Sequence, residues 1–242
     1  YRDKNGKPYA QTYLRAINNQ LTAMFNYAVK YYDLRENPCT KAGSMGKSNA
    51  EEMQFWTKAE FEQFITAVQD KPASYTAFMT MYYTGMRVGE LCALTPEDVN
   101  LENNTITINK TFQRINGRDV VWPPKTPKSN RVITIPQTLA DCLKSYMDKC
   151  YEIQPNDRLF PYTKSFLNHE MLRGCKKSGV KKIRVHDLRH SHVSLLIEMG
   201  FQPLLIADRL GHEKIQTTLN TYSHLYPNKQ AEVAQQLENL IN

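Results

Sequence analysis

The stretch from residue 185 to residue 225 most constrains the fold, because it divides into short helical segments separated by glycines. It reads VHDLRHSHVSLLIEMGFQPLLIADRLGHEKIQTTLNTYSHL. Apolar residues at helical spacing predict a first helix that ends at Gly200, and Leu210-Gly211 predicts a second helix end. The residues from 215 to 222 then leave room for about two turns of a third helix. We therefore expect this part of the chain to be a succession of short helices.

Four polar side chains stand out in this stretch: His186, Arg189, His212 and Tyr222. His186 and Arg189 are three residues apart, so both are expected to emerge near the start of the first helix. A helix start offers free backbone N–H groups and a partial positive charge, which together with a guanidinium suit a phosphate. The ligand indicated is a phosphodiester. Taken singly, each residue has a simpler interpretation, because a lone histidine is more often a surface or core residue and a single tyrosine usually packs.

A second arginine lies upstream in the segment TGMRVGEL, residues 84–91. A turn precedes Arg87, and a short helix that ends near Leu94 is expected to follow it. An arginine among apolar neighbours is costly unless it has an anionic partner. That partner could be a bound anion, or simply Glu90 in a salt bridge.

These motifs, HxxR, LGH, a tyrosine within TTLNTYSHL, and TGMRVGEL, together resemble the tyrosine recombinase (phage integrase) family over residues 10–228. The resemblance implies that Tyr222 is a nucleophile that forms a 3′-phosphotyrosyl link with DNA and releases a 5′-hydroxyl. Arg87 and Arg189 would stabilise charge on the phosphate, and Glu90 would hold Arg87 in place. His186 is the candidate base for the tyrosine. His212 would donate a hydrogen bond to the phosphate and orient the nucleophile.

The family also implies a catalytic lysine on a β-hairpin. Residues 105–110, 119–122 and 131–135 are β-branched or alternating runs separated by Asn, Gly and Pro, which predict a small three-stranded antiparallel sheet. Within PPKTPKSNRVITIP, Lys125 resembles the catalytic lysine and is the candidate acid for the departing 5′ oxygen. Lys128 is the rival. Both lysines could instead only contact the DNA backbone.

Charge points to a polyanionic partner. The 242 residues carry a formal net charge of +7, which is weak evidence alone. The distribution is more informative, because basic residues concentrate in two segments, 110–131 and 173–184. The residues expected to bind DNA are Lys110, Arg114, Lys128, Arg131, Lys181 and Lys182.

Composition narrows the class of protein. Hydrophobic content of 41% and charged content of 23% are typical of a globular protein. No apolar run is long enough for a membrane helix, and we expect no secretory leader and no membrane partner. The expected location is the cytoplasm of a bacterial cell or of a phage-infected host, in association with the nucleoid. Five cysteines without CxxC spacing suggest buried thiols. We expect no metal and no other cofactor, because the arginines supply the charge that a divalent ion provides elsewhere.

The predicted fold class is mainly α with a small three-stranded antiparallel sheet. An amphipathic helix over residues 11–32 resembles the end of the family's helical core-binding domain, which clamps DNA, so residues 1–45 are assigned to its C-terminal portion. Residues 40–50 have a linker's composition, and residues 46–228 are expected to form the catalytic domain. Residues 229–242 are expected to form a last helix, and the resemblance to the family suggests that it is exchanged between protomers.

The function implied is site-specific DNA recombination for integration or excision of a mobile element. Double-stranded DNA is the expected partner. On DNA the chain is expected to form a homo-oligomer, which is a tetramer in the synaptic complex. Directionality or bending factors are further candidate partners. Two alternatives stay open: a type IB topoisomerase-like enzyme with the same chemistry, and a DNA-binding module without activity on the same scaffold.

Overall fold

The computed structural model describes residues 2, 6–46, 53–124, 126–225 and 238. Its backbone separates into two compact units, residues 1–53 and residues 54–242. Lys125 and, except for Glu238, the helix predicted for residues 229–242 lie outside the described residues. In the part of the chain that is described, no helix has both the length and the apolar content needed to cross a membrane.

The first unit contains the predicted long helix, α1 (Gln11–Tyr31), and a short helix, α2 (Pro38–Ala42). Asn37 joins the two. Its side chain caps α2 by accepting a hydrogen bond from the Cys39 backbone N–H at 2.8 Å, and it donates to the Thr22 carbonyl at 3.0 Å. Part of the segment expected to be a linker is therefore helical and fixed against α1.

The second unit is built mainly of helices: α3 (Lys58–Ala67), α4 (Pro72–Thr84), α5 (Val88–Ala93), α6 (Gln137–Met147), α7 (Lys164–Ser178), α8 (Leu188–Glu198), α9 (Pro203–Leu210) and α10 (Ile215–Tyr222). The predicted capping box at the start of α3 is confirmed, with Thr57 and Glu60 bonding reciprocally. In the core, Phe61 of α3 stacks on Tyr82 of α4 with ring centroids 3.6 Å apart. This packing fixes the end of α4, from which the segment carrying Arg87 departs.

The predicted small antiparallel sheet is confirmed, but its membership differs from the prediction. Strands β1 (Val99–Asn100), β2 (Thr105–Ile108) and β5 (Arg131–Thr134) form a three-stranded sheet in the order β1-β2-β5. Residues 119–122 belong instead to a separate two-stranded hairpin of β3 (Thr111–Ile115) and β4 (Arg118–Trp122). The cause is the two-residue turn Asn116-Gly117, in which both residues have positive φ, because such a turn pairs a strand with its immediate neighbour in sequence.

Candidate active site

Arg87 lies at the entrance to α5, just after α4 has ended. Gly85 ends α4 with a φ of 65°, and a Cβ there would lie 2.6 Å from a ring carbon of His192, so glycine is required by both conformation and space. The Arg87 guanidinium donates to Oε1 of Glu90 at 2.8 Å, and its backbone N–H donates to Oε2 at 2.8 Å. Its side chain keeps 39% of its surface exposed. The guanidinium is thus held on one side and open on the other.

Glu90 is the buried carboxylate that joins two arginines. Besides Arg87, it accepts hydrogen bonds from Nη1 and Nη2 of Arg131 at 3.2 and 2.9 Å. Burial acts to raise the pKa of this carboxyl, but the hydrogen bonds and charge of Arg131, followed by those of Arg87, lower it below its usual value. Glu90 is therefore ionised at neutral pH and fixes the position of Arg87.

Arg131, one of the residues expected to bind DNA, forms internal contacts in the structure. Its side chain is nearly buried, and apart from Glu90 it donates to the carbonyls of Arg209 and Ser129 at 2.9 and 3.1 Å. Through Glu90, the Arg131 guanidinium helps to hold Arg87 in position. The expected contact between Arg131 and DNA stays a prediction, and in this structure the side chain is bound to Glu90 and to two carbonyls.

Arg189 lies in the first turn of α8 and is only 3% exposed. Its Nη1 donates to the Gly85 carbonyl at 2.7 Å and its Nη2 to the Leu210 carbonyl at 2.8 Å, so the ends of α4 and α9 fix it. Burial, then the nearby charge of Arg87, lowers the pKa of Arg189 to about 9, which still leaves it protonated at neutral pH. Because two of its five N–H groups are used, the others remain for an anion.

His212 follows α9 and lines a cleft of about 400 Å³ together with Arg87, Lys110 and Thr111. Its Nδ1 is 2.7 Å from the hydroxyl of Thr218, which lies one turn before Tyr222 on α10. Burial, then the charges of Arg189, Arg87 and Arg131, lowers the pKa of His212 to about 4. A neutral imidazole that accepts from Thr218 at Nδ1 carries its proton on Nε2, where it can be donated to a phosphate.

Tyr222 ends α10 and is buried, with 2% of its surface exposed. Its hydroxyl oxygen lies 2.6 Å from Nδ1 of His190. Burial raises the pKa of the phenol to about 12, against an opposing effect of the Arg189 charge. The sequence interpretation missed His190, because a histidine directly after Arg189 has no spacing signal that would connect it with a residue on another helix.

His186, the expected partner of the tyrosine, is placed differently. It lies in the 3₁₀ turn before α8, is exposed, and lines a groove next to the cleft together with Arg87 and Lys164. Its ring is 5.7 Å from that of His190, edge to face. Although His186 as a whole is exposed, desolvation of its ring by the surrounding chain, and then the charge of Arg189, lower its pKa. The contact with the phenol that we expected for His186 is made by His190 instead.

Of the remaining basic candidates, three have acidic partners and two are exposed. Lys110 is bound to the buried Asp98, with 2.7 Å between its Nζ and Oδ1. Arg114 is exposed and lies 3.5 Å from Asp119, while Lys181 pairs with Glu60 at 3.2 Å. The other two, Lys128 and Lys182, are exposed. Among the described residues no cluster of three His, Cys, Asp or Glu side chains could hold a metal ion.

The chain is similar in sequence to known proteins. Residues 54–229 match the model of the phage integrase family. The ICEBs1 integrase of Bacillus subtilis is 33% identical over 94% of this chain, and a XerC-like tyrosine recombinase of Caldanaerobacter subterraneus is 26% identical over 94%. The chain spans 66% of the length of each of these two relatives.

The fold is also similar to solved structures. The Tn1549 transposon integrase in complex with a circular intermediate DNA superposes with a TM-score of 0.79 at 21% identity, covering 97% of this chain and 80% of that one. A lambda integrase dimer bound to a COC′ core site gives a TM-score of 0.59 at 18% identity, covering 84% and 72%. The matched family model, the relatives and the shared fold lead to one conclusion: this chain is a member of the phage integrase family.

Proposed function

We propose that the protein is a site-specific DNA recombinase that cuts and rejoins DNA strands through a 3′-phosphotyrosyl intermediate, for integration or excision of a mobile element. The observation that carries this proposal is the position of Tyr222: its hydroxyl is hydrogen-bonded to His190, the residue next to the fixed guanidinium of Arg189, and the charge of Arg189 acts on the tyrosine's pKa. A phenol near a guanidinium suits attack on a phosphodiester, whose negative charge grows on the non-bridging oxygens.

The two arginines have distinct parts in the proposed reaction. Arg189 is rigid, since two backbone carbonyls hold it, and its remaining N–H groups would bind a non-bridging oxygen. Arg87 is half open and braced by Glu90, so it would bind the phosphate from the cleft side. His212 would donate Nε2–H to the same phosphate, and through Thr218 it would help to orient α10. His186, at the mouth of the groove, would face the DNA.

The departing 5′ oxygen is a poor leaving group and needs a proton. Lys125 is the proposed donor, with Lys128 as the rival. The phosphotyrosyl bond conserves the energy of the cleaved phosphodiester, so a second 5′-hydroxyl can reverse the reaction without ATP. Exchange between two duplexes is then nearly balanced in energy, and no cofactor is needed.

The proposed partner is double-stranded DNA, bound by a homo-oligomer that becomes a tetramer at synapsis, in the cytoplasm of a bacterial cell or of a phage-infected host. Residues 1–45 would contribute to the clamp around DNA, and residues 46–228 would form the catalytic domain. Directionality or bending factors would decide between integration and excision.

We further propose that residues 229–242 of one protomer pack on a neighbouring protomer in the DNA assembly. Met199, Leu204 and Leu205, on and between α8 and α9, each expose more than half of their surface and offer an apolar surface for such a segment. Deleting residues 229–242 should weaken cooperative assembly on DNA, measured by the stoichiometry of the complexes on native gels. Unchanged assembly would refute this part of the proposal.

Covalent trapping tests the proposed chemistry directly. Labelled duplexes with a single nick, tiled across the DNA that flanks the gene, would be incubated with the protein in EDTA and separated on a denaturing gel. We expect a retarded band with the unchanged chain and none with Tyr222→Phe. Tyr151→Phe is the matched control, because Tyr151 is 88% exposed and far less constrained. Absence of a band for every duplex would refute the proposal.

A second readout separates the possible outcomes of the same chemistry. Transfer of labelled strands between two duplexes would indicate recombination, whereas relaxation of supercoiled DNA without exchange would favour the topoisomerase-like alternative.

A further inference from the structure

We propose that His190 is a further catalytic residue, whose Nδ1 receives the phenolic proton of Tyr222 as the tyrosine oxygen attacks phosphorus. This inference rests on the proposed function, since it assigns a role within that reaction. It replaces the assignment of this step to His186, which lies at the groove.

The contact between the two side chains is direct. Nδ1 of His190 and the hydroxyl oxygen of Tyr222 are 2.6 Å apart, a distance suited to a hydrogen bond between a phenol and an imidazole nitrogen. His190 extends from the first turn of α8 and Tyr222 from the last turn of α10, and both are well packed. The atom that loses a proton and the atom that can take it are therefore already paired.

The carboxylate of Asp187 lies near the second ring nitrogen of His190. Oδ1 of Asp187 lies 3.9 Å from Nε2 of His190, too far for a hydrogen bond but close enough for electrostatic stabilisation of an imidazolium. Asp187 is 1% exposed; its Oδ2 accepts from the Arg184 backbone N–H at 2.9 Å, and its Oδ1 accepts from Nη2 of Arg184 at 2.7 Å. When Nδ1 accepts from Tyr222, Nε2 carries the single N–H proton of the neutral ring. The order carboxylate, imidazole, hydroxyl is the one that activates other hydroxyl nucleophiles.

Before substrate binds, the protonation states of His190 and Tyr222 are those that proton transfer to His190 requires. Burial, then the neighbouring His186, lowers the pKa of His190 to about 4, so the ring is neutral at pH 7. Asp187 opposes this effect, while Arg184 and Arg189 add to it. With the pKa of Tyr222 raised to about 12, the proton stays on the phenol until the reaction begins.

Substrate binding favours transfer of the proton from Tyr222 to His190. A phosphate dianion-like transition state next to the ring favours the imidazolium, and the phenol loses basicity as its oxygen becomes an ester. In the cleavage step the Tyr222 oxygen bonds to phosphorus, and the bond from phosphorus to the 5′ oxygen breaks. The 5′ oxygen keeps the electron pair and takes a proton from Lys125, while the phenolic proton ends on Nδ1 of His190. Rejoining reverses each transfer.

The test compares His190→Asn and His190→Ala with the unchanged chain, on a nicked duplex from the tiled set that gives the covalent band. Asparagine places an oxygen near the position of Nδ1, so it keeps an acceptor for the tyrosine but cannot take up the proton. We expect both variants to cleave about 100-fold to 1,000-fold more slowly. His169→Ala, an exposed histidine on α7, should cleave at the unchanged rate.

The pH dependence distinguishes a proton acceptor from a residue that only positions Tyr222. Without an internal base the phenol must ionise first, so the cleavage rate of both variants should rise about tenfold per pH unit between about pH 6 and 9. The unchanged chain should show a much flatter profile. Native gels should show equal DNA binding, and tryptophan fluorescence during urea unfolding should show that His190→Asn is folded.

The outcomes separate the two proposals. A covalent band in the unchanged chain together with an undiminished rate in His190→Asn would overturn the role of His190 and leave the recombinase chemistry intact. If the unchanged chain gives no Tyr222-dependent band with any duplex, the proposed function fails, and the role of His190 fails with it.

Discussion

Replacing Glu90 with glutamine would remove a buried negative charge while nearly preserving the shape of the side chain. The carboxylate accepts four hydrogen bonds: two from Arg87, both 2.8 Å, and two from Arg131, 3.2 and 2.9 Å. An amide keeps one of the two oxygens. On the other side, an NH₂ group would face two donors, which costs those hydrogen bonds and sets like dipoles against each other.

The size of the effect follows from the burial of the partners. Removing one member of a buried ion pair costs about 3–5 kcal/mol, because the other charge is left without compensation. Arg87 is 39% exposed and regains part of its hydration, whereas the Arg131 side chain is 7% exposed and cannot. We therefore expect Glu90→Gln to lower the free energy of unfolding by about 3 kcal/mol at neutral pH.

The effect should also depend on pH. The pKa of Glu90 is lowered in the folded chain, so its stabilising contribution is present above its ordinary value of 4.5 and is lost as pH falls through the lower folded value. The stabilities of the variant and the unchanged chain should therefore converge in acid.

Urea unfolding followed by tryptophan fluorescence would measure this, because Trp56 is buried in the second unit. Glu62→Gln is the matched control: Glu62 is exposed, lies 3.8 Å from Lys58, and should contribute less than about 1 kcal/mol. A loss of less than about 1 kcal/mol in Glu90→Gln would refute the idea that this carboxylate holds the two arginines together.

Three further predictions concern the surroundings of the arginines. Arg189→Lys should cleave at least about 100-fold more slowly, since one ammonium cannot both replace the bonds to two carbonyls and bind the phosphate; cleavage at the original rate would contradict the assignment. In urea unfolding, Gly85→Ala should destabilise the chain more than Gly117→Ala, because both have positive φ but only Gly85 is crowded; equal losses would argue against crowding. Burial, then the charge of Arg209, lowers the pKa of His192 to about 3, so the unfolded state binds a proton at higher pH than the folded state does. The contribution of His192 should therefore lower the free energy of unfolding by about 1 kcal/mol between about pH 6.5 and 5.5. If thermal denaturation shows the same fall in His192→Gln, His192 is not its cause.

The sequence by itself determined the local elements of this protein. Helical periodicity located α1, the helix end predicted at Leu210-Gly211 left room for α10, and the capping box at Thr57 located the start of α3, because these signals arise from residues within a few positions of one another. The motifs around Arg87, Arg189 and Tyr222 were sufficient to suggest the family. A local signal was also present for the β3–β4 hairpin, since Asn116-Gly117 is the preferred two-residue turn. Residues 119–122 were nevertheless predicted to lie in the three-stranded sheet.

Tertiary structure decided which distant side chains meet. Arg131 is 41 residues from Glu90, yet it shares that carboxylate with Arg87. His190 is 32 residues from Tyr222 and becomes its hydrogen-bond partner, whereas His186, four residues earlier, is directed to the groove. Spacing along the chain fixes the face of a helix on which a side chain lies, but the packing of α8 against its neighbours fixes which nitrogen reaches which oxygen. A shift of one residue in that packing changes the partner, and no local pattern in the sequence encodes it.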